Sequence, residues 1–160
     1  MLKLSPLARR AHLIEAMKQD AAQGLHCGSC SGTCCTFTSN SMQIDAEQAL
    51  DMKNWLVQQE RWNEETFKSL EDCVEEFRLD KEISHIKIRR TYTCPFFKRS
   101  SLGCTIAPEV KPYGCLAFNP KEAGVTNGGN CRSNLDLLEA VPGIQDGVKH
   151  PIPVALLRLR

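Results

Sequence analysis

The chain of 160 residues carries 20 Lys and Arg against 19 Asp and Glu, a formal net charge of +1, and nine of its residues are cysteine. That length suffices for a single domain with a modest core, so the cysteines are not the obligatory staples of a mini-protein. Balanced charge removes any overall field that would draw nucleic acid or an acidic membrane, leaving only local patches to consider.

The opening MLKLSPLARRAHLIEAMKQD places charges through what would be the apolar part of a signal peptide, and no later stretch approaches the roughly 18 apolar residues of a membrane span. The expectation is a soluble, cytoplasmic protein. Thiols stay reduced in that compartment, so the nine cysteines point to metal binding or redox work rather than a disulfide framework. Their odd number agrees, since one must stand outside any paired scheme.

In chain order, residues 1–24 predict a helix with Leu7, Ala11, Ile14 and Met17 at helical spacing and Gly24 as its stop. HCGSCSGTCCTF follows as a loop, because Gly28, Ser29, Ser31, Gly32 and Thr33 are turn formers. Asp45 with Gln48 three residues on resembles a capping box at the start of a second helix, DAEQALDMKNWLVQQ. A third, EETFKSLEDCVEEFRL, lines up Phe67, Leu70, Val74 and Phe77, with Cys73 beside that stripe as a packing cysteine. The period then shortens: Ile86, Ile88, Tyr92 and Cys94 share one face of a predicted strand. Loops and short strands around the remaining cysteines come next. The tail from Pro142, with three prolines and a final PVALLRLR, predicts a short edge strand or a mobile end.

The cysteines fall into two groups of four, Cys27, Cys30, Cys34 and Cys35, then Cys94, Cys104, Cys115 and Cys131, with Cys73 alone between them. A C-x2-C turn puts two sulfurs on one side of a tight loop, where a metal reaches both at about 2.3 Å. Gly28 and Ser29 leave room for it. Consecutive side chains diverge, so Cys34 and Cys35 can serve different ions, or one can face the core. Buried inert thiols are the competing explanation, but the first loop has little else apolar to pack against. His26 is a candidate ligand or hydrogen-bond donor to the first group, although a solvated loop histidine fits the position as well.

CGSCSGTCC, followed by CPFF, GCTI and KPYGCLAF, resembles the YkgJ-type cysteine-cluster family, described as a zinc- or iron-chelating domain of small bacterial proteins and similar in cysteine pattern to flagellin lysine N-methylase. The resemblance covers about residues 26–131 and implies that the eight cysteines of the two groups are metal ligands. Where relatives tend to carry an aromatic after GCxI, and Arg-Pro before and Arg after the next cysteine, this chain has Ala107, Lys111-Pro112 and Leu116.

Zn2+ or an iron–sulfur cluster held by four thiolates each carry a net charge of about −2, which Lys87, Arg89, Arg90, Lys98, Arg99 and Lys111 could balance. The absence of zinc-finger histidine spacing, the adjacent cysteines and the Cys94-Pro95 step lean towards iron–sulfur. Cys30-x3-Cys34 begins a radical-SAM pattern, but Phe37 stands where its third cysteine would be. No phosphate loop, G-x-S-x-G or HExxH occurs, so enzyme activity is left undecided, and the pairs Glu64-Glu65 and Glu75-Glu76 are most simply solvation. KIRRTYTCPFFKR interleaves five basic residues with Tyr92, Phe96 and Phe97, a composition suited to nucleic acid, but an exposed strand face whose charges offset the thiolates is the favoured reading.

The expectation is an α+β fold: a small single domain with two to three helices and a loop-rich, short-stranded, metal-clamped cysteine region. It divides into an N-terminal helix (1–25), a zinc- or iron-chelating domain (26–141) and a C-terminal tail (142–160). Its function is metal or cluster binding, with a redox or metal-handling role. The alternatives are a protein-modifying enzyme related to flagellin lysine N-methylase or a zinc-stabilised nucleic-acid module. No membrane partner is expected, nucleic acid is disfavoured, and a protein partner is unspecified.

Overall fold

Ser5 and Pro6 start the first helix for separate reasons: the Ser5 hydroxyl accepts the Ala8 N–H at 3.1 Å, and Pro6 occupies a first-turn position that needs no N–H. In this computed structural model, which describes residues 3–24, 43–80, 92–98, 103–120, 131–144 and 147–160, α1 runs Pro6–Ala22. Half of its expected inward face holds, since Ile14 and Met17 pack against the smaller core, but the first turns differ. Leu7 is 66% exposed, whereas Arg9 and Arg10 are 2% and 1% exposed and lie inward with Leu13. The helix is rotated because α2, Ala46–Gln58, offers carboxylates there: Arg9 meets Glu47 at 2.9 Å and Arg10 meets Asp51 at 2.8 Å.

Asp45 caps α2 as expected, accepting the Gln48 N–H at 2.8 Å. The Gln48 side chain does not return the contact; its Oε1 accepts the Tyr113 N–H at 2.9 Å, so half of the capping box serves tertiary structure. At the other end, Glu60 takes a left-handed conformation, with Glu60 N–H bonded to Val57 and Arg61 N–H to Leu56. This Schellman turn reverses the chain before α3, Glu64–Phe77, which buries Phe67, Leu70 and Cys73.

Six helices and three two-stranded antiparallel pairs are present among the described residues, so the domain is α+β and mostly helical. The excess over two or three helices lies in the second half: α4 Tyr113–Leu116, α5 Leu135–Ala140 and α6 Ile152–Leu157. Elements of four to six residues are too short to show a 3.6-residue period. The strands, each of two or three residues, are β1 Gln43–Ile44, β2 Phe97–Lys98, β3 Gly103–Cys104, β4 Phe118–Pro120, β5 Cys131–Ser133 and β6 His150–Pro151.

The tail expectation is corrected. His150–Pro151 is a short strand paired with β1, but Ile152–Leu157 of the final stretch is neither strand nor mobile end: it forms α6, whose Pro153 is tolerated in a first turn. Ile152, Ala155 and Leu156 then pack with Ile44, Met52 and Leu56 of β1 and α2 and with Leu70 of α3 in the larger core. A smaller core joins Leu13 of α1 to Tyr113, Leu116, Leu138, Val141 and Ile144. The predicted strand over Ile86–Cys94 lies largely outside the described residues; Tyr92 and Cys94 are buried but belong to no strand. Among the described residues no helix is long and apolar enough to cross a membrane.

Candidate metal centre

Cys94 begins a β-turn in which Pro95 holds the second position and the Phe97 N–H bonds the Cys94 carbonyl at 3.1 Å. That turn leads into β2, which pairs with β3 so that Phe97 faces Cys104. The two cysteines therefore sit at the base of one hairpin. Each receives a backbone donor from two residues on: the Ile106 N–H points at Cys104 Sγ at 3.4 Å, and the Phe96 N–H bonds the Cys94 sulfur. At Cys94 that N–H favours thiolate over thiol.

The hairpin base is held from the α2–α3 turn. Arg61 donates to the Thr105 carbonyl at 2.9 Å and to its hydroxyl at 2.8 Å, and its guanidinium lies 5.3 Å from the Trp55 ring and 5.9 Å from the Phe96 ring. Neither Arg61 nor Thr105 carried a sequence signal, because the pair is 44 residues apart in the chain.

Cys115 lies on α4, in KPYGC, and a polar network from α1 and α2 fixes that segment. Arg10 Nε donates to the Lys111 carbonyl at 2.9 Å and its guanidinium stacks 5.0 Å from the Tyr113 ring. Arg9 reaches the Tyr113 hydroxyl at 3.4 Å, and Gln48 takes the Tyr113 N–H. Two buried arginines thus position the turn that carries a cysteine.

Burial pushes the Cys94 thiol well above its ordinary range against the pull of the Phe96 N–H, and Cys104, Cys115 and Cys73 push the same way. Cys104 of the hairpin, Cys115 of α4 and Cys73 of α3 thus each act electrostatically on the Cys94 thiol. At Tyr92, burial first, then Cys94, Cys115 and Cys73, raises the hydroxyl, which accepts the Ile152 N–H at 3.1 Å. Cys73, Cys94, Cys104 and Cys115 stand as thiols, not half-cystines.

Cys73 fits the packing role read from its helix. It is 7% exposed in the larger core, its thiol points at the Thr93 carbonyl 3.5 Å away, and burial followed by the nearby Glu76 charge pushes it up to about 12.

Among the described residues no three His, Cys, Asp or Glu side chains form a group that could hold a metal ion, so the metal-clamped region expected from the sequence is not seen there. Cys94, Cys104 and Cys115 of the expected ligands are described, and Cys131 is placed only as a residue of β5, paired with Pro120. Cys27, Cys30, Cys34 and Cys35, with His26, lie outside the described residues, as do Lys87, Arg89, Arg90 and Arg99. In the basic-aromatic stretch, Tyr92 and Phe96 are 0% and 5% exposed and Phe97 packs on the core, so these rings do not form a stacking platform for bases. No family model matches the chain, and no curated protein and no solved structure matches it.

Proposed function

We propose that this is a metal-binding protein whose cysteines ligate an iron–sulfur cluster or Zn2+, with Cys94, Cys104 and Cys115 among the candidate ligands. The observation that carries this reading is the pair of N–H···S contacts at the hairpin base, from Phe96 to Cys94 and from Ile106 to Cys104. A packed thiol is only a weak acceptor for such a donor, whereas a metal-bound thiolate accepts strongly and its electron density is tuned by it. Arg61, which makes two hydrogen bonds to Thr105 beside Cys104, adds a fixed positive charge to the same region.

The ligand set of this reading is completed from the remaining cysteines of the two groups, Cys131 and Cys27, Cys30, Cys34 and Cys35. The bound group would supply either redox chemistry, if a cluster, or cross-linking of the second half, if zinc. The chain's own residues orient the thiols and, by burying Cys94, exclude water from one of them. A cytoplasmic location and a redox or metal-handling role belong to the same proposal.

The test is the metal and acid-labile sulfide content of protein purified without oxygen, read with its visible spectrum. Iron and sulfide in matching amounts, with a broad band that bleaches on reduction, or stoichiometric zinc without such a band, supports the proposal and chooses between its forms. Neither metal, with the Cys104 thiol freely alkylated in the native state, overturns it.

A further inference from the structure

His150 and Arg158 meet with Nε2 and Nη1 2.8 Å apart, across eight residues of chain. A guanidinium has only donors and keeps its charge, so the imidazole nitrogen must be the acceptor. His150 is therefore neutral in this arrangement, with its one N–H on Nδ1. We propose that this pair is a proton-operated clasp, which ties β6 to the end of α6 and opens when the imidazole takes up a proton.

The two partners are held very differently. His150 lies in β6 opposite Ile44 of β1, so its backbone is fixed, and its side chain is half-buried. Arg158 follows α6 as its C-cap, where its backbone N–H bonds the Val154 carbonyl at 3.3 Å, and its side chain is exposed. Once the imidazole is charged, Nε2 becomes a donor and two cations face each other at hydrogen-bond distance. The arginine is the partner free to swing into water, and the last turn of α6 loses its tie to the strand.

The charges around His150 set the direction of the response. Among the described residues, those that line one cavity with it are Arg158 of α6, Lys3 and Arg9 from the α1 side, and Asp45 and Glu47 at the start of α2. β1 brings no charge, and Lys149 precedes His150 in the chain. Both carboxylates are engaged, Asp45 by the Gln48 N–H and Glu47 by Arg9. Burial and then Arg158 lower the His150 pKa, in keeping with that surplus of cations. A histidine that the fold keeps neutral gives its full contribution above pH 6.5 and loses it as the pH falls through the lowered value.

The experiment follows the ¹⁵N-labelled full chain by NMR between about pH 7.5 and pH 5, a range that spans histidine titration. The imidazole signals are expected to show Nδ1–H at neutral pH, and His150 is expected to titrate below an ordinary histidine. Exchange protection of the Arg158 and Leu159 amides should fall about three- to tenfold in step with that titration. His150→Gln supplies an acceptor that no proton removes, so the step should vanish while protection stays at its neutral-pH level. Arg158→Gln should return His150 to the ordinary histidine range.

An Nε2–H tautomer at neutral pH, a His150 titration at or above the ordinary value, a titration unmoved by Arg158→Gln, or a protection step that persists in His150→Gln overturns the proposal. Acid loss of a thiol-bound metal would act alike on the wild type and His150→Gln, so the difference between them reads the clasp alone.

Discussion

Arg61 holds Thr105 at two points, its carbonyl at 2.9 Å and its hydroxyl at 2.8 Å, and through it ties the Cys104 turn to the end of α2. The planar guanidinium makes both bonds at once while resting near Trp55 and Phe96, which an ammonium would not reproduce. Arg61→Lys is expected to lower unfolding stability by about 1–3 kcal/mol. It should also speed alkylation of Cys104 in the native protein. Urea unfolding and timed thiol labelling check the two effects; wild-type labelling rates in the variant would show that Arg61 does not hold the turn.

Arg10 combines three roles at 1% exposure: an ion pair with Asp51, a hydrogen bond to the Lys111 carbonyl and a ring contact with Tyr113. Arg10→Ala leaves a void and strips all three partners, and it is expected to cost about 3–5 kcal/mol. Asp51 is 31% exposed, so water screens its loss in part and Asp51→Asn is expected to cost less, about 1–2 kcal/mol. Denaturant midpoints for the two variants test the order. Equal costs would mean that the ion pair outweighs the Lys111 and Tyr113 contacts.

Gly143 has φ of +89°, and a side chain there would press on Arg9 at 2.7–2.9 Å from three atoms of its guanidinium. Gly143→Ala therefore carries both backbone strain and a clash with a residue that is itself packed, and it is expected to lose about 1–3 kcal/mol. Thermal unfolding would record this, and NMR shifts of Glu47 would show whether the Arg9 contact moves with it.

Burial holds Cys73 up to about 12 from an ordinary 9.0, and the Cys94 thiol is also raised. A folded state that keeps these protons while the unfolded chain releases them has their full contribution below pH 9 and loses it as the pH rises from 9 towards 12. Metal-free protein is therefore expected to become steadily easier to unfold by urea across that window. Cys73→Val should flatten part of the fall, with Cys94 and Tyr92 retaining the rest. An unchanged slope in Cys73→Val would place the pH dependence elsewhere.

The first three helices were legible because each is long enough to repeat its apolar spacing and carries a stop or cap: Gly24 after α1, Asp45 before α2, and the Phe67–Leu70 stripe in α3. The rotation of α1 was not legible. Of the expected inward residues Ile14 and Met17 do pack on the smaller core, but Leu7 and Ala11 face outward, and Arg9 and Arg10 turn inward because Glu47, Asp51, Lys111 and Tyr113 wait there. A buried arginine is explained by its partners, and none of these partners is near it in the chain.

Residue order alone settled what local physics controls: which stretches cap and coil, and that Cys73 belongs beside a helical apolar face. Tertiary structure decided what depends on long-range contacts: that PVALLRLR ends as a helix in the core, that Gln48 leaves its capping box for Tyr113, and that Arg61 reaches Thr105, 44 residues away. Short elements have too few internal hydrogen bonds to specify themselves, and a buried polar group settles wherever its partner lies.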